Sequence, residues 1–457
     1  MEDLLIIGGG PAGYAAALRA AQLGLKSILI EKDRPGGTCL NRGCIPTKAL
    51  IKSALLYEQM ADLASFGINT AEYTLDFTKV QERKARVTED LVKGIEMLLE
   101  KKGVITVKGT ATFLDSQRVQ VLTEEGAEVL EAKNILIATG SKAFDPPIPG
   151  MDLPGVIGSD EILNIDHVPK RLFVSGASVI GLEFASIFLA FGSEVHVSGR
   201  TFLKREDAEI QRRLQNLLRR KGMKFHLGGR LQRIEQREDG LEVYFEGKKG
   251  EESVIVDSVL MSAGRIANMD GLDLKAAGVE FDNKGIHVNE FLETSAPGVY
   301  AAGDVIGGEM LAHVATHEAL YIVGRIAGEE GPIDYRAVPA CTFTIPELAS
   351  VGMTEEEVKS EGLPYKSAKF PFIAASKAQC DGSTDGFVKV LTSEEGKILG
   401  VHILGAGASE LIAEATLAIA HDMSAEDLYE TIHAHPTLPE ALSEAVMATQ
   451  GLAIHQL

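Results

Sequence analysis

The chain has 457 residues and a formal net charge of −20 at pH 7. Nucleic acid and anionic membrane surfaces would repel so acidic a protein, which excludes both as its main partner. The length fits roughly three domains of about 150 residues each. The composition, with 47 glycines and 45% hydrophobic residues, is typical of a globular α/β protein and excludes a peptide hormone, a coiled coil or a simple binding module.

Compartment and membrane association follow from three features of the sequence. An apolar run at residues 4–7 begins almost at the initiator methionine, where a signal peptide would otherwise lie. The apolar helical stretches near 180–191 and 411–420 are interrupted by Glu183 and Glu414 and are shorter than the roughly 20 residues of a membrane span. Four cysteines are too few for a disulfide scaffold. We therefore expect a cytoplasmic protein without a membrane segment.

The first elements in chain order form a strand, helix and strand unit. A strand over 4–7 is followed by a glycine-rich turn, a helix over about 11–23 and a strand over 27–30. Alternation of apolar strands with helical patterns predicts a parallel sheet covered by helices. Next come a helix over 78–102, with Val80, Val87, Leu91, Ile95 and Leu98 on one face, and strands over 103–107, 118–122 and 134–137.

A proline-rich segment then separates two similar halves. Residues 145–150 contain three prolines, which predicts a stiff linker and a domain boundary. The opening pattern recurs after it: a strand over 172–175, a turn, a helix to Phe191 and a strand over 194–197. The pattern becomes mixed beyond about Gly264, and from Val338 it is first β-rich and then helical. We predict four parts, residues 1–144, 145–267, 268–337 and 338–457.

The first glycine-rich turn carries a dinucleotide-binding pattern. Gly8 would make the tight turn, Gly10 would let the backbone approach a pyrophosphate, and Gly13 would allow close packing of helix on strand. Glu31, at the end of the next strand, can accept a hydrogen bond from a ribose hydroxyl. The alternative is an ordinary glycine turn, but the order of strand, turn, helix, strand and acid favours nucleotide binding.

The second turn is a weaker match. Gly176 and Gly181 keep their places, but Ser178 replaces the middle glycine. The second strand ends in Gly199 and Arg200, with Lys204 and Arg205 nearby, where an acid would be expected. A missing acid and added cations suit the 2′-phosphate of NADP(H). The alternative is that Arg200 is a solvated surface charge.

Cys39 and Cys44 are close in sequence. Five residues of a regular helix rise about 7.5 Å, more than the usual Cα separation of about 4.4 to 6.8 Å across a disulfide, so a bridge would need a distorted turn that Gly43 can provide. Half of a metal site is an alternative, although no second Cys/His cluster of zinc spacing accompanies the pair and we predict no metal. A further alternative is that Cys39 and Cys44 are two unrelated buried thiols. A pair beside a dinucleotide motif favours cycling between dithiol and disulfide.

Several segments together carry a family resemblance. The run GGTCLNRGCIPTK at 36–48 resembles the redox-active disulfide segment of the flavoprotein disulfide reductases. The sequence ATG ending at Gly140 and the sequence AAGD ending at Asp304 resemble the family's two further flavin motifs. The run HAHPTLPE at 433–440 resembles the family's active-site histidine and glutamate. Within the family, the cysteine and histidine segments are most similar to dihydrolipoamide dehydrogenases.

The resemblance implies an α/β fold with two Rossmann-like dinucleotide-binding domains and a C-terminal α+β dimerisation domain. Residues 1–144 would bind FAD and carry the disulfide, 145–267 would bind NAD(H) or NADP(H), 268–337 would complete the FAD site, and 338–457 would form the interface of a homodimer. The implied FAD residues are Gly8, Gly10, Gly13, Glu31, Gly140 and Asp304. The implied nicotinamide nucleotide residues are Gly176, Ser178, Gly181, Arg200 and Gly264.

The resemblance also implies catalytic roles. Cys39 would exchange with substrate, Cys44 would lie nearer the flavin, and Lys48 would pair with Glu183 beside it. Glu183 interrupts an apolar helix face, and a buried carboxylate needs a partner; the alternative is partial exposure.

His435 would accept a proton and Glu440 would orient its ring, with the disulfide contributed by the other subunit. From the sequence alone, His435 before Pro436 fits a packed histidine, and 437–440 fits a capping box of the form T-x-x-E. We predict that His433, Cys341 and Cys380 are structural.

The implied activity is oxidation of a protein-bound dihydrolipoyl group, with electrons passing through Cys39, Cys44 and FAD to NAD⁺ or NADP⁺. The lipoyl-bearing partner would belong to a 2-oxo acid dehydrogenase complex or to the glycine cleavage system. Gly199 and Arg200 keep open an alternative, an NADPH-dependent reductase of another small disulfide similar to glutathione reductase. A non-catalytic flavoprotein scaffold is a third hypothesis.

Overall fold

The computed structural model describes residues 1–247 and 250–455, and its elements begin with the predicted strand, helix and strand. The elements of residues 1–144 are β1 (Glu2–Ile7), α1 (Pro11–Gln22), β2 (Ser27–Glu31), α2 (Gly37–Arg42), α3 (Cys44–Gln59), α4 (Phe77–Lys101), β3 (Ile105–Lys108), β4 (Thr110–Phe113), β5 (Arg118–Thr123), β6 (Gly126–Ile137) and β7 (Ser141–Ala143).

The second half of the pattern follows the proline-rich segment. Its elements are β8 (Val156–Ile157), β9 (Arg171–Ser175), α5 (Val179–Ala190), β10 (Glu194–Gly199), α6 (Ala208–Arg220), β11 (Lys224–Leu227), β12 (Leu231–Arg237), β13 (Gly240–Gly247), β14 (Gly250–Val256), β15 (Ser258–Met261) and β16 (Arg265–Ala267). The two predicted strand, helix and strand units are both present, with ends close to those predicted.

The remaining elements cover the mixed and the C-terminal parts. They are β17 (Val299–Ala301), α7 (Ala312–Ile326), β18 (Ala340–Thr342), β19 (Leu348–Gly352), α8 (Glu355–Ser360), β20 (Tyr365–Pro371), α9 (Ser376–Cys380), β21 (Phe387–Ser393), β22 (Ile398–Leu404), α10 (Ala408–Ala420), α11 (Ala425–Glu430) and α12 (Pro439–Thr449). A short 3₁₀ helix at Gly303–Ile306 follows β17.

Parallel strands form the centre of the first sheet. Its strand order is β3-β2-β1-β6-β5-β4, and β17 pairs with β6. β1 runs parallel to both β2 and β6, and β17 runs parallel to the last residues of β6. The chain leaves β1 for β2 on one side and returns to β6 on the other, which creates a crevice at the carboxyl ends of these strands, where open α/β sheets bind ligands.

The second sheet repeats this arrangement. Its order is β11-β10-β9-β15-β8, and all its pairs are parallel. β9 therefore has the position of β1, with β10 on one side and β15 on the other. The prediction of an α/β fold with two such sheets is confirmed.

The C-terminal part has a different architecture. Its sheet has the order β18-β19-β22-β21-β20, with antiparallel pairing throughout. Helices α10 and α12 cover one face, and their buried residues include Leu411, Ile412, Leu442 and Val446. Strands first and helices afterwards match the predicted order of an α+β unit.

Two details of the first part differ from the sequence predictions. On α4 the residues buried against the protein are Phe77, Lys84, Val92 and Leu99, whereas Leu91 and Leu98 are 46% and 49% exposed. Val80, Val87 and Ile95 of the predicted face are partly buried. Leu91 and Leu98 are exposed because they lie about 100° around the helix from the buried Val92 and Leu99. β6 begins at Gly126 rather than 134 because its first half pairs antiparallel with β5 as an exposed, polar ribbon.

Among the described residues, no helix is long and apolar enough to cross a membrane.

Candidate active site

The first glycine-rich turn lies in the crevice at the carboxyl end of β1. Gly8 has φ +103°, and a Cβ there would lie 2.4 Å from the carbonyl oxygen of Ala138 at the end of β6. A Cβ on Gly13 would lie 1.7 Å from the carbonyl oxygen of Gly8, so only glycine lets α1 pack this closely. Gly10 is the N-cap of α1 and provides no side-chain cap, which leaves backbone N–H groups of the first turn for an anion.

Two carboxylates border the same crevice. Glu31, at the end of β2, accepts hydrogen bonds from the N–H of Gly9 at 2.6 Å and of Asp33 at 2.8 Å, and each oxygen keeps a second lone pair for a ribose hydroxyl. Asp304 follows β17, two strands from β1, and accepts a hydrogen bond from the Ser141 hydroxyl at 2.5 Å. Open N–H groups at a helix start and carboxylates at neighbouring strand ends fit FAD, whose pyrophosphate needs donors and whose hydroxyls need acceptors.

The cysteine segment folds as two helices separated by a break. α2 ends at Arg42 and α3 begins at Cys44. Gly43 lies between them, and a Cβ there would approach the carbonyl oxygen of Thr38 to 3.0 Å. Cys39 and Cys44 therefore do not lie on one continuous helix, in which five residues would separate them by a rise of about 7.5 Å. Both are free thiols in this structure.

The two thiols have different acidities. A hydrogen bond from Cys39 and, to a smaller extent, the nearby Lys48 ammonium together lower the pKa of Cys44 to about 7, against the opposing effect of burial. The same hydrogen bond, followed by burial, raises the pKa of Cys39. Cys44 also starts a helix, a position that favours a thiolate. As the pH rises, the dithiol therefore loses its first proton from Cys44, while Cys39 keeps its proton.

Lys48 and Glu183 form a bidentate ion pair beside Cys44. Lys48 Nζ lies 2.9 and 3.0 Å from the two carboxylate oxygens of Glu183, which is only 3% exposed. The N–H of Phe343 donates to Glu183 Oε1 at 3.0 Å, and the Phe343 ring lies 4.4 Å from Lys48 Nζ. The buried carboxylate predicted to need a partner has one, and the pair connects α3 to α5.

Replacing Lys48 should shift the titration of Cys44. In the wild type we expect the Cys44 thiolate to form as the pH rises through about 7. Lys48→Met removes a positive charge that stabilises the thiolate, so the midpoint should move to higher pH. The measurement is the ¹³Cβ shift of labelled cysteine in the reduced protein, with Lys52→Met, an exposed lysine one turn along α3, as control. An unchanged midpoint in Lys48→Met would contradict this electrostatic account.

His435 and Glu440 are in direct contact before α12. His435 Nδ1 lies 2.8 Å from Glu440 Oε1, and the His435 side chain is 70% exposed. Glu440 Oε2 accepts the N–H of Thr437 at 2.8 Å, while the Thr437 hydroxyl donates to the carbonyl of Ala434. The capping-box alternative is therefore half right: Glu440 fixes the backbone with one oxygen and the histidine ring with the other, but Thr437 does not cap the helix. Within the described residues no hydrogen bond reaches His435 Nε2.

The remaining histidine and cysteines lie outside this contact. His433 is 11% exposed and lies 2.8 Å from Glu414 Oε1, which fits the predicted structural role. Cys341 is partly buried in β18, and Cys380 is exposed at the end of α9. Nowhere in the described ranges do three His, Cys, Asp or Glu side chains form a group that could hold a metal ion.

The second glycine-rich turn has the geometry of the first. A Cβ on Gly176, where φ is +131°, would lie 2.3 Å from the carbonyl oxygen of Ser262, and one on Gly181 would lie 2.0 Å from the carbonyl oxygen of Gly176. Ser178 is the N-cap of α5 and makes no side-chain cap. Gly264 follows β15 with φ +116°. These residues surround the crevice between β9 and β15, as Gly8 and Gly140 do between β1 and β6.

Gly199 and Arg200 stand at the end of β10, beside this second turn. A Cβ on Gly199 would lie 2.9 Å from the backbone nitrogen of Ala177, so the strand end is closely packed against the turn. Arg200 and Lys204 are exposed, and neither forms an ion pair within the part of the chain that the structure describes. Arg205 is paired with Glu309.

The neighbours that hold Asp304 were not among the residues predicted from the sequence. Ser141 directly follows the predicted Gly140 and donates to Asp304, and Arg265 directly follows Gly264 and donates to Ser141. Glu318 is 4% exposed on α7 and accepts the N–H of Gly303 at 2.6 Å. Adjacency to the glycines was the available signal for Ser141 and Arg265, and a carboxylate on an apolar helix face was the signal for Glu318.

Comparisons with known proteins agree with this geometry. The sequence model described as "Pyridine nucleotide-disulphide oxidoreductase" matches residues 2–319, and that of the same family's dimerisation domain matches residues 338–446. The chain is 44% identical to dihydrolipoyl dehydrogenase 1, mitochondrial, of Arabidopsis thaliana, over 99% of this chain and 91% of the relative. It is 42% identical to a dihydrolipoyl dehydrogenase of Bacillus subtilis (strain 168), over 99% and 97%.

A solved structure of a flavoprotein disulfide reductase has the same fold. The HOCl-induced flavoprotein disulfide reductase RclA from Escherichia coli superimposes with a TM-score of 0.87 at 28% identity, over 97% of this chain and 99% of that chain. Two nucleotide crevices, a close thiol pair and a C-terminal dimerisation unit occur in one chain whose two parts both match the same family. The chain belongs to the pyridine nucleotide-disulphide oxidoreductase family.

Proposed function

We propose that the chain is a dihydrolipoyl dehydrogenase, a homodimeric FAD enzyme that oxidises a protein-bound dihydrolipoyl group and passes the electrons to a nicotinamide nucleotide. The observation that carries the proposal is the pair of free thiols, Cys39 and Cys44, on the two sides of the helix break at Gly43 and next to the Lys48–Glu183 ion pair. The names of the Arabidopsis and Bacillus relatives support this substrate class. The four-part division at 144, 267 and 337 is part of the proposal: separate sheets support the parts 1–144, 145–267 and 338–457, while β17 of 268–337 joins the first sheet, which supports a part that completes the FAD site.

The substrate step begins at His435. Its Nε2 accepts a proton from one substrate thiol, while Glu440 holds Nδ1 and stabilises the charged ring. The substrate thiolate attacks Cys39 Sγ of the oxidised pair, which breaks the Cys39–Cys44 bond and forms a mixed disulfide. Cys44 leaves as a thiolate, since its pKa of about 7 makes it the better leaving group.

A second exchange completes the oxidation. The second substrate thiol loses its proton to the departing Cys39, and its sulfur attacks the substrate sulfur bound to Cys39, which closes the lipoyl disulfide and breaks the mixed disulfide. Cys39 takes up a proton because its pKa is raised. The substrate has lost two electrons and two protons, and the cysteine pair has gained the two electrons. Gly8, Gly10, Gly13, Glu31 and Asp304 would hold FAD, which would supply the redox chemistry that transfers this electron pair to the nicotinamide.

A homodimer completes the site. His435 is exposed, and within the described ranges no hydrogen bond or ion pair joins His435 or Glu440 to the cysteine segment of the same chain. Ile432, next to the histidine segment, is 96% exposed, and Leu417 on α10 is 56% exposed. A second copy of the chain would bury this apolar surface. The match to a dimerisation domain supports this arrangement. His435 would then serve the cysteine pair of the second copy.

The coenzyme site is proposed to accept NADP(H) as well as NAD(H). Gly199 leaves no carboxylate to repel a 2′-phosphate, and Arg200 and Lys204 stand exposed beside the turn that receives the coenzyme.

Arg200→Ala should raise KM for NADP⁺ by about tenfold or more, through loss of a charge-assisted hydrogen bond, and leave KM for NAD⁺ nearly unchanged. Steady-state kinetics with both coenzymes give the answer, and Arg212→Ala on α6 is the control. Equal effects on both coenzymes would show that Arg200 does not contact the phosphate.

Location and physiological partner complete the proposal. We propose a cytoplasmic enzyme, because the exposed free thiol of Cys380 suits a reducing compartment; cell fractionation tests this. The partner is the lipoyl domain of a 2-oxo acid dehydrogenase complex or of a glycine cleavage carrier, and lipoylated proteins of both types can be assayed as substrates.

The experiment that tests the function compares two substrate pairs. The purified protein should oxidise dihydrolipoamide with NAD⁺ or NADP⁺ and should show little reduction of glutathione disulfide with NADPH. The reverse pattern would replace the proposal with a glutathione reductase-like enzyme. Bound flavin without either activity would favour the scaffold hypothesis.

A further inference from the structure

We propose that Ser141 and Arg265 are positioning residues that orient the Asp304 carboxylate for FAD. The three side chains form one hydrogen-bonded chain: Arg265 Nε donates to Ser141 Oγ at 2.7 Å, and Ser141 Oγ donates to Asp304 Oδ2 at 2.5 Å. The inference rests on the FAD site described above and not on the identity of the dithiol substrate.

The donor and acceptor roles in this series of hydrogen bonds are set by Arg265 at one end and Asp304 at the other. A guanidinium can only donate hydrogen bonds and a carboxylate can only accept them. The Ser141 hydroxyl must therefore accept from Arg265 and donate to Asp304, with no alternative orientation. Arg265 Nη2 also donates to the carbonyl oxygen of Ser141 at 2.8 Å, so the serine is held through both its side chain and its backbone.

The surroundings of Ser141 and Asp304 hold these hydrogen-bonded side chains in place. Ser141 is 9% exposed, and it lies in β7, which pairs antiparallel with β16, the strand that begins at Arg265. From the other side, Glu318 Oε2 accepts the N–H of Gly303, the residue before Asp304, at 2.6 Å, and the Tyr335 hydroxyl donates to Glu318 Oε1 at 2.8 Å. The side chain of Asp304 and the backbone of the preceding residue, Gly303, are thus both held by buried or partly buried partners.

This arrangement leaves one carboxylate oxygen for the cofactor. Within the described residues no hydrogen bond reaches Asp304 Oδ1, whereas Oδ2 is engaged by Ser141. An aspartate held by one oxygen loses less rotamer freedom when the other oxygen binds a ligand, and preorganisation of this kind strengthens binding. β7 and β16 lie on either side of the second sheet in sequence, so the ribbon that connects the two nucleotide-binding parts also sets the flavin contact.

The test is a double-mutant cycle on the release of FAD from the holoprotein, followed by flavin fluorescence. Ser141→Ala should accelerate release about tenfold in the wild-type background and by less than about twofold in the Asp304→Ala background, because its effect passes through Asp304. Ser141→Thr should restore slow release, since it keeps the hydroxyl. Ser65→Ala, at an exposed serine of the same part of the chain, is the control.

Arg265→Met provides a second route to the same result if Ser141→Ala does not fold. It should also accelerate release strongly only when Asp304 is present. Equal acceleration in the two Asp304 backgrounds, or no acceleration in either, would overturn the proposal and assign Ser141 and Arg265 a purely structural role. A failure of the dithiol assay with FAD release behaving as expected would contradict the proposed substrate and leave this inference intact.

Discussion

Cys44→Ser is expected to reduce dihydrolipoamide oxidation by about 10⁴-fold or more while the protein keeps its flavin. Serine cannot form the disulfide that accepts the substrate's electrons, and no other thiol has the same environment: the pKa of Cys341 is raised to about 11 by burial and nearby carboxylates. The glycine-rich turn, Glu31 and Asp304, which form the FAD crevice, are unaltered by this change. The measurement is kcat/KM alongside the flavin absorption spectrum.

Cys380→Ser is the matched control for this variant. Cys380 is exposed at the end of α9, outside the proposed chemistry, so its replacement should leave turnover unchanged. Turnover of Cys44→Ser within tenfold of the wild type, with flavin bound, would show that the dithiol is oxidised without the Cys39–Cys44 pair.

His435→Gln is expected to lower kcat for dihydrolipoamide oxidation by about 10²- to 10⁴-fold, the usual contribution of a general base. Glutamine preserves the size and polarity of the side chain but cannot accept the substrate proton at neutral pH. The loss should be smaller at high pH, because a growing fraction of the substrate is then already a thiolate. The measurement is the pH profile of kcat in wild type and variant.

His421→Gln is the control for the histidine variant. His421 is exposed at the end of α10 and has no place in the proposed step, so its profile should match that of the wild type. A His435→Gln enzyme that retains the wild-type kcat and pH profile would contradict the assignment of His435 as the proton acceptor.

Local sequence predicted those features of the fold that depend on backbone geometry. Gly8, Gly13, Gly176 and Gly181 could be recognised because each occupies a place where a Cβ would collide with a backbone oxygen. Glu183 could be recognised because a charged residue on an apolar helix face needs a partner. The fold class was also predicted correctly, because a chain in which strands alternate with helices can form only a few arrangements.

Features that depend on contacts between distant segments were not predictable in the same way. Ser141 and Asp304 are 163 residues apart in sequence, and Arg265 is 124 residues from Ser141, so no local pattern signals their contact. The exposure of Leu91 and Leu98 on α4 was not predicted because the surrounding structure, and not the helix pattern, decides whether they or the neighbouring Val92 and Leu99 are covered. The acidities of Cys39 and Cys44 likewise depend on a break at Gly43 and on Lys48.

The most direct test of the central claim is to identify the thiols that appear when the oxidised protein receives one equivalent of dihydrolipoamide under anaerobic conditions without nicotinamide nucleotide. Alkylation and peptide mass analysis before and after addition should show Cys39 and Cys44 becoming alkylated, with Cys341 and Cys380 unchanged. If NAD(P)H later forms from protein in which no new thiol appeared at Cys39 and Cys44, the electrons do not pass through this pair and the account is wrong.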